Sequence, residues 1–274
     1  MAPRGMERRI AGGGRVALRL VDDILVALGA QHAELAGLID GFSGDDWERP
    51  TRCEGWDVAS VLLHLAQTDE LATASARGDL DGHGGGGFLS DGVRQTVSVD
   101  DAAAAQVDIE RAAGGDAIRQ RWHDASHAMR AAFAAGDPHT RVTWVSGQLS
   151  LHTLTATRLS ECWIHTGDIA SALGIELAPT DRLRFIARLA WRTLPYAFQR
   201  AELTMAGPVA LDLRGPDGEH WHFDPEAPAR TTIRGSAAEF CDVAARRVDP
   251  DATALVGEGP DAPAVLRLVR TYAQ

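Results

Sequence analysis

The first two hundred residues of the chain carry apolar side chains at helical spacing. Over Leu18–Asp40 they recur every three or four positions and Gly41 follows as a natural stop, which predicts a first helix. Asp57 stands at an N-cap position before a second such pattern, which predicts a second helix that ends near Ala76. The segment 45–55 between them combines a proline with charged residues and is predicted to be a loop.

Three further helices are predicted before residue 200. The first of them begins at a cap formed by Asp100 or Asp101, and a pair of glycines interrupts it. Short connections favour antiparallel neighbours, so the pattern predicts a helical bundle. The predicted spans are 100–133 with the interruption at Gly114-Gly115, Gln148–Ala172 and Pro179–Gln199.

After Pro208 the apolar pattern changes from a helical to an alternating period, which indicates strands. The turn sequence Gly-Pro-Asp-Gly at 215–218 lies between two extended stretches and predicts a hairpin. A small α+β tail is therefore expected. Its predicted strands are Val209–Leu213, Trp221–Phe223, Thr231–Ile233 and Thr253–Val256, and its predicted helices are Ser236–Arg247 and Ala262–Ala273.

The whole pattern predicts a mainly α protein with a small α+β tail. We expect a flexible N-terminus over residues 1–15, a helical domain over 16–200 and a small α+β domain over 201–274. A chain of 274 residues with 45% hydrophobic and 24% charged residues can bury either one large core or two modest ones, and we expect two domains.

Charge and cysteine content narrow the classes of partner. With 38 acidic against 27 basic residues, a net charge of −11 and no long basic run, the chain is not expected to bind nucleic acid or an anionic membrane. Apolar stretches such as Val61–Ala66 are far shorter than the ~20 residues that cross a bilayer, and no signal-peptide core is recognisable. Cys53, Cys162 and Cys241 lie too far apart for a CxxC motif and are odd in number. We therefore expect a cytoplasmic monomer or homodimer that binds a small molecule.

Two compositional features remove further classes of chemistry. Every one of the 27 basic residues is an arginine, so a Schiff-base lysine, a P-loop lysine and a lysine general base are all excluded. The glycine-rich segment 78–92 is predicted to be a flexible loop. A phosphate-binding role is conceivable for it, but no GK[ST] motif follows and no strand precedes it.

Two ionisable residues of the predicted fourth helix share its apolar face. Glu161 and His165 are four positions apart, so they lie one turn above each other. A buried carboxylate needs a cation, hydrogen bonds or a metal ion, because its desolvation is costly otherwise. Arg158 lies on the same face, so an internal Glu–Arg–His network is one interpretation and a metal site is the other.

A histidine of the predicted second helix favours the metal site. His64 flanks the apolar stripe of that helix, which gives a second imidazole directed to the interior. Two imidazoles and one carboxylate from two helices are the ligand set of a catalytic zinc ion, which keeps open positions for water or substrate. The sequence therefore predicts a divalent ion held by His64, Glu161 and His165.

The other histidines offer weaker ligand sets. His123 and His127 are four positions apart on a predicted helix, but their charged neighbours indicate an exposed face. His220 and His222 project to one face of a predicted strand, and no third ligand is evident beside them. The remaining histidines are isolated in the sequence: His32, His83, His139 and His152.

Two motifs resemble a known family. The run TRCEGWDV at 51–58, followed by HLA at 64–66, resembles the start of the second helix in DinB-like proteins of the mycothiol-dependent maleylpyruvate isomerase type. The run ECWIHTGDIA at 161–170 resembles their second metal motif, E-x-x-x-H-x-x-D. Both motifs match in order and distance, and the resemblance spans roughly residues 18–200.

The resemblance implies an antiparallel four-helix bundle in which His64, Glu161 and His165 bind a divalent ion, usually zinc. It also implies that the ion activates a small thiol such as mycothiol, since metal coordination favours the thiolate. The absence of lysine and asparagine, which share A-rich codons, suggests a GC-rich, actinobacteria-like genome and agrees with mycothiol. The glycine-rich segment is longer than expected of a maleylpyruvate isomerase, so the substrate class stays open.

The tail resembles the small α+β domain of the same isomerases, which is similar to sterol-carrier folds and contributes an arginine to the active site. Arg247 is the matching position, ahead of Arg246, and a solvated arginine at a helix C-terminus is the alternative. Asp168, one turn beyond His165, would orient a ligand or an arginine, with a buried structural salt bridge as the alternative.

Together these residues predict a metal-dependent enzyme of the isomerase or S-transferase type. Its zinc ion would act as a Lewis acid on a thiol or water that attacks a small electrophilic metabolite. A non-catalytic metal-binding or regulatory bundle is the second hypothesis, although structural zinc sites usually have four protein ligands. A metal-free scaffold for protein association is the third.

Overall fold

The computed structural model describes residues 13–80, 98–145 and 147–271. Most of the predicted flexible N-terminus 1–15 and most of the glycine-rich segment 78–92 lie outside these residues. The helices are α1 (Gly13–Ile39), α2 (Val58–Arg77), α3 (Val99–Glu110), α4 (Gly115–Ala135), α5 (Leu151–Ala172), α6 (Leu183–Arg200), α7 (Ala237–Ala244) and α8 (Ala262–Leu268). The strands are β1 (Arg141–Trp144), β2 (Gly147–Ser150), β3 (Val209–Arg214), β4 (His220–Phe223), β5 (Thr231–Ser236) and β6 (Val256–Glu258).

Helix α2 begins and ends where its capping residues dictate. The Asp57 side chain accepts a hydrogen bond of 2.8 Å from the backbone N–H of Ser60, which confirms the predicted N-cap. At the other end Gly78 has a φ of 72°, a left-handed conformation that glycine adopts without a Cβ penalty. The helix therefore extends one residue beyond the predicted end at Ala76.

The predicted third helix is two helices, α3 and α4, and the break falls at the glycine pair. A Cβ atom on Gly115 would lie 2.2 Å from the Trp47 ring, so the chain needs glycine where the two segments meet. The cap predicted at Asp100 or Asp101 is wrong, because Ser98 occupies it and accepts from the backbone N–H of Asp101 at 3.0 Å.

A short hairpin precedes α5 where the sequence predicts helix. Strand β1 pairs antiparallel with β2, so the predicted helix start at Gln148 is wrong. Helix α5 begins at Leu151 instead, because the Ser150 hydroxyl accepts from the backbone N–H of Thr153 at 3.1 Å and caps the helix there. Likewise α6 begins at Leu183 rather than at Pro179.

The long helices pack around an apolar interior. Helix α2 contacts α4 and α5, and α1 contacts α5 and α4. Large side chains from each of them are fully buried, for example Leu28, Leu62, Trp122 and Leu159. Polar groups on the inner faces of α2 and α5 therefore lie in surroundings where an unpaired charge is costly.

The tail forms a four-stranded mixed sheet in the order β4-β3-β5-β6. Strands β3 and β5 are parallel, and the outer pairs are antiparallel. Trp221 and Phe223 of β4 are buried, and Trp191 of α6 donates to the carbonyl of Val209 at 2.7 Å. Since α6 also contacts α7 and α8, it joins the tail to the preceding helices in one continuous apolar cluster.

Three predicted boundaries in the tail are wrong. Helix α7 ends at Ala244 rather than Arg247, because the chain turns at Arg246, whose φ is 61°. Strand β6 begins only at Val256, since a 3₁₀ turn at Pro250–Ala252 occupies the approach to the predicted strand. Helix α8 ends at Leu268, short of the predicted end.

The described part of the chain is thus mainly helical with a small sheet, as the sequence predicts. Among the described residues, no helix combines the length and apolar character that a membrane span requires.

Candidate functional site

A cavity of about 760 Å³ opens between α2, α3, α5, α6, the β1–β2 hairpin and the tail. Four of the five residues predicted for the site line it: His64, Glu161, His165 and Arg247. The fifth, Asp168, is only 1% exposed and lies behind two of them. The volume falls in the range of about 300–1,000 Å³ that is typical of small-molecule sites.

The imidazole of His64 is buried but has no hydrogen-bond partner among the described residues. It is 8% exposed, and its ring centroid lies 5.1 Å from that of Trp56 and 5.2 Å from that of His165. Burial, together with the charge of His165, lowers the pKa of His64 to about 3. The ring is therefore neutral at pH 7 and keeps a lone pair for a ligand bond.

Glu161 is ion-paired with Arg158 of the same helix. Arg158 is completely buried and also donates two hydrogen bonds, of 3.1 and 2.9 Å, to Oδ1 of Asp69 on α2. Burial opposes ionisation of Glu161, but the charge and hydrogen bond of Arg158 together with the two cavity histidines outweigh burial and hold the pKa of Glu161 below its usual value. The Glu–Arg part of the internal network considered from the sequence is thus present, whereas His165 contacts Asp168 instead. Asp69 is a member that sequence reasoning missed.

Asp69 shows how unfavourable this interior is for charge. Burial raises its pKa to about 6 even though Arg158 contacts it. Its second oxygen, Oδ2, is buried and accepts no hydrogen bond from the described residues. Arg158 is therefore shared between two acidic groups, one of which faces the cavity and one of which does not.

A second network links α5 to the tail through Asp168. Its Oδ2 lies 3.1 Å from Nδ1 of His165, and Arg247 donates from Nε and Nη2 to the two carboxylate oxygens at 2.7 Å each. Burial disfavours the charged form of His165, but its contacts with Asp168 and Cys53 together outweigh burial and raise the pKa of His165 to about 9. Because Nδ1 is engaged, Nε2 is the ring nitrogen left for a ligand.

The thiol of Cys53 completes this second network. Its Sγ lies 3.3 Å from Oδ2 of Asp168, 3.9 Å from Nδ1 of His165 and 3.7 Å from Nη2 of Arg247. Cys53 also lines the cavity, so it presents a thiol to any bound molecule. Sequence reasoning missed this residue, although it lies inside the first motif of the family resemblance.

The turn that follows α7 determines which tail arginine reaches the cavity. Arg246 has a φ of 61° and donates to the carbonyl of Arg267 at 2.6 Å, away from Asp168. Arg247, the next residue, points to the cavity and its side chain is 22% exposed. The structure therefore places Arg247, and not Arg246, beside the predicted ligands.

Comparison with known proteins identifies the family. Residues 28–170, just over half of the 274 residues, match the model of the mycothiol maleylpyruvate isomerase N-terminal domain. The chain belongs to this family. Uncharacterized proteins from two strains of Mycobacterium tuberculosis are each 29% identical to it over 248 residues, which cover 90% of this chain and 93% of theirs.

Two solved structures share the fold. They are crystal structures of the mycothiol-dependent maleylpyruvate isomerase and of a mutant of it, each with a TM-score of 0.57. Sequence identity is 17% and 16%, and the match covers 89% of this chain and 96% of theirs. The resemblance recognised in the two motifs is thus confirmed at the level of family and fold.

The donor atoms of three cavity residues would suit a divalent ion of intermediate softness. His64 offers a neutral imidazole without another partner among the described residues, and His165 offers a ring whose orientation Asp168 fixes. Glu161 offers an ionised carboxylate. This donor set suits zinc better than magnesium or calcium, which prefer oxygen ligands alone.

The potential ligand atoms of the three predicted metal ligands do not all lie close enough together to form a compact metal site. Among the described residues, two groups have all their potential ligand atoms within 4.8 Å of one another, and His64–Glu161–His165 is neither of them. The carboxylate of Glu161 is held by Arg158 instead. The two groups are Cys53–His165–Asp168 and Asp212–His220–His222.

The other described histidines differ in their exposure. His123 and His127 are exposed on α4, as predicted. His220 and His222 are exposed as well, but the expectation that no third ligand accompanies them is wrong, because Asp212 of β3 contacts both. His32 is 2% exposed, and its Nδ1 lies 2.6 Å from Nη1 of Arg130.

Proposed function

We propose that this protein is a metal-dependent enzyme of the mycothiol-dependent isomerase or S-transferase type that acts on a small electrophilic metabolite. One observation carries the proposal: His64, Glu161 and His165 come from two helices to the wall of one cavity, and Arg247 reaches the same wall from the tail. Family membership and the fold shared with the maleylpyruvate isomerase support it.

His64, Glu161 and His165 would hold the divalent ion, which we propose to be zinc. When bound, this ion supplies Lewis-acid stabilisation of a thiolate or hydroxide, so that a nucleophile exists at neutral pH. Asp168 fixes the orientation of the His165 ring through Nδ1, and Arg158 limits the positions that the Glu161 carboxylate can take. Both networks hold ligand side chains in place before any substrate enters.

Arg247 would bind an anionic group of the substrate. Asp168 holds its guanidinium by two hydrogen bonds of 2.7 Å, so the group presented to the cavity is already ordered. A fixed guanidinium favours anions such as carboxylates. We therefore expect the electrophile to carry a carboxylate.

The cavity has room for both a thiol and a small acid, and the reaction balances without an oxidant. The sulfur of the thiol adds to an activated alkene and a proton adds to the neighbouring carbon. Rotation about the resulting single bond, followed by loss of the same thiol and a proton, gives the isomer. Retention of the carbon–sulfur bond would give S-transfer instead, and water in place of the thiol would give hydration or hydrolysis.

A non-catalytic metal-binding or regulatory protein is the second candidate. It would keep the same ligands without turnover, whereas the ion pair between Glu161 and Arg158, with Asp69 behind it, satisfies the carboxylate without a metal ion and favours the metal-free scaffold. In the former case the cavity would bind a small molecule without turnover.

We further propose that α1, α2, α4 and α5 form the antiparallel four-helix bundle of DinB-like proteins within a domain over residues 16–200. The contacts of α1 with α5 and of α2 with α4 support this arrangement. The mixed sheet with α7 and α8 would be the sterol-carrier-like domain over 201–274. We expect the protein to act in the cytoplasm as a monomer or homodimer, which agrees with its three free cysteines.

An activity assay separates the two candidates. The zinc-loaded protein is incubated with mycothiol and a panel of small unsaturated acids that includes maleylpyruvate, and isomers and thiol adducts are measured. We expect mycothiol-dependent turnover that Arg247→Met abolishes and that the control Arg246→Gln leaves intact. Absence of turnover across the panel, with one zinc bound, would favour the non-catalytic candidate.

A further inference from the structure

The outer face of the tail sheet carries a second group of metal-ligating side chains. Asp212 lies on β3, and His220 and His222 lie on β4. The Nδ1 atoms of the two histidines lie 3.0 and 3.5 Å from the same oxygen, Oδ1 of Asp212. None of the three residues lines the cavity. We propose that they form a second, independent site for a late transition-metal dication such as Zn²⁺ or Ni²⁺.

The hairpin register brings the three ligands together. Asp212 pairs directly with His222 across the antiparallel strands, and His220 is two residues away on the same face of β4. The buried residues Trp221 and Phe223 alternate with the histidines and fix which face of β4 turns outward. A register shift of one residue would bury both histidines, so the apolar core itself holds the ligands at this face.

The spacing of the ligand atoms suits a small dication. Zinc–nitrogen and zinc–oxygen bonds of ~2.0–2.1 Å in a tetrahedral site imply ligand atoms about 3.3 Å apart. The two distances to Oδ1 of Asp212 lie on either side of that value. The histidine rings are nearly parallel, with an interplanar angle of 20°. Only small movements of exposed side chains would be needed to bind the ion.

The neighbouring arginine does not compete with the histidines for Oδ1 of Asp212. Arg234 of β5 approaches the other oxygen, Oδ2 of Asp212, at 3.8 Å, while its Nη1 lies 2.6 Å from Glu258. Arg234 is thus a positively charged neighbour of the ligands that does not itself bind the ion. Its removal would increase the attraction of the site for a metal ion.

The donor set and its exposure select the class of ion. Two imidazoles favour zinc, nickel or copper over magnesium and calcium, which require oxygen ligands. The side chains of His220 and His222 are 62% and 56% exposed, so the ion can enter from solvent and keep water molecules at its open positions. Binding there costs no core desolvation, in contrast to the cavity.

Equilibrium dialysis of the full-length protein at saturating Zn²⁺, with elemental analysis, tests this site. If the cavity site also exists, the wild type binds two equivalents and His222→Ala binds one. If the cavity site does not exist, the wild type binds one and His222→Ala binds none. The second site is therefore tested independently of the proposed function. In either case a His64→Ala protein should still bind one zinc ion at the outer site.

Two further variants sharpen the test. His127→Ala removes one of the exposed histidines of α4 and should leave the count unchanged, whereas Asp212→Ala should remove one equivalent. Arg234→Gln should tighten Zn²⁺ binding severalfold, because it removes a positive charge beside the ligands. A His220→Ala, His222→Ala double variant that binds as many zinc ions per chain as the wild type, or a His127→Ala variant that binds one fewer, would overturn the proposal.

Discussion

The two candidate metal sites place similar ligands in opposite surroundings. In the cavity His64 is 8% exposed, and Glu161 and Arg247 are each paired with a buried countercharge. On the outer sheet His220 and His222 are more than half exposed, and the carboxylate of Asp212 is their only acidic partner among the described residues. Burying charge without compensation is costly, whereas exposed charge is stabilised by water. A buried site is therefore built together with its supporting network, while an exposed site needs only the strand register.

The supporting network of the cavity should matter most for stability. Arg158→Met leaves Asp69 and Glu161 without their shared cation in a site where Arg158 is completely buried. We expect a loss of ~3–5 kcal/mol in the free energy of unfolding, measured by urea denaturation. The control Arg49→Met removes an exposed pair with Asp46 and should cost about 1 kcal/mol or less. Equal losses of unfolding free energy in Arg158→Met and Arg49→Met would contradict the claim that the buried ion pairs matter more for stability than the exposed pair.

The link between α5 and the tail should have the next largest effect. Asp168→Asn removes the charge that holds Arg247 and the acceptor of His165, and we expect a loss of ~1.5–3 kcal/mol. The ion pairs depress the pKa of Asp168, so its stabilising contribution is present above the unfolded pKa of about 4 and is lost as pH falls below it. The variant should therefore show a flatter decline of stability in acid.

The measurement for this variant is the urea midpoint as a function of pH, with exposed Asp224→Asn as the control. If Asp168→Asn and the wild type lose stability in parallel below pH 4, Asp168 does not act as a charged link. Turnover should also fall in Asp168→Asn, since Arg247 and His165 both lose their orientation.

A buried histidine away from the cavity should give a smaller effect of the opposite sign. Nε2 of His32 is buried without a partner among the described residues, and burial, followed by the charge of Arg130, lowers the pKa of His32 to about 3. The unfolded chain takes up a proton near pH 6.5 but the folded chain does not, so stability falls as pH drops from 6.5 to 3. His32→Leu should be more stable than the wild type at pH 4, by ~1–3 kcal/mol.

Thermal unfolding of His32→Leu at pH 7 and pH 4 checks this expectation. The exposed His139→Leu serves as the control and should follow the wild type at both values. A His32→Leu protein that is destabilised equally at both pH values would show that the Arg130 contact, and not the burial of the ring, dominates.

The smallest effect on stability is expected at Cys53, although its reactivity should be distinctive. Cys53→Ser should change the unfolding free energy by less than ~1 kcal/mol, because the thiol is only partly buried. Burial raises the pKa of both Cys162 and Cys241, so an alkylating reagent should modify Cys53 alone in the folded protein. Mass spectrometry of the labelled protein checks this, and labelling of Cys162 at a comparable rate would contradict it.

The sequence predicted the residues whose position depends on local periodicity. Glu161 and His165 share a face because they are one helical turn apart, and the Asp57 cap fixes the start of α2 and hence the place of His64. The alternation of β4 likewise predicted that His220 and His222 share one face.

The residues that were missed depend on pairing between distant segments. Asp69 meets Arg158 across 89 positions, and Cys53 meets Asp168 across 115 positions. Asp212 joins the two histidines only through the register of β3 and β4. The β1–β2 hairpin was missed because four-residue strands beside a long helix give little periodic signal. The spacing of residues along the chain does not reveal which distant segments pair with each other.

Metal content after desalting tests the central claim most directly. The zinc-loaded wild type, His64→Ala, His165→Ala and His222→Ala are passed through a desalting column, and zinc per chain is determined by elemental analysis. We expect close to one equivalent in the wild type and in His222→Ala, since the exposed site releases its ion, and a loss of that equivalent in both His64→Ala and His165→Ala. Retention of the full equivalent in His64→Ala and His165→Ala would contradict a metal site in the cavity.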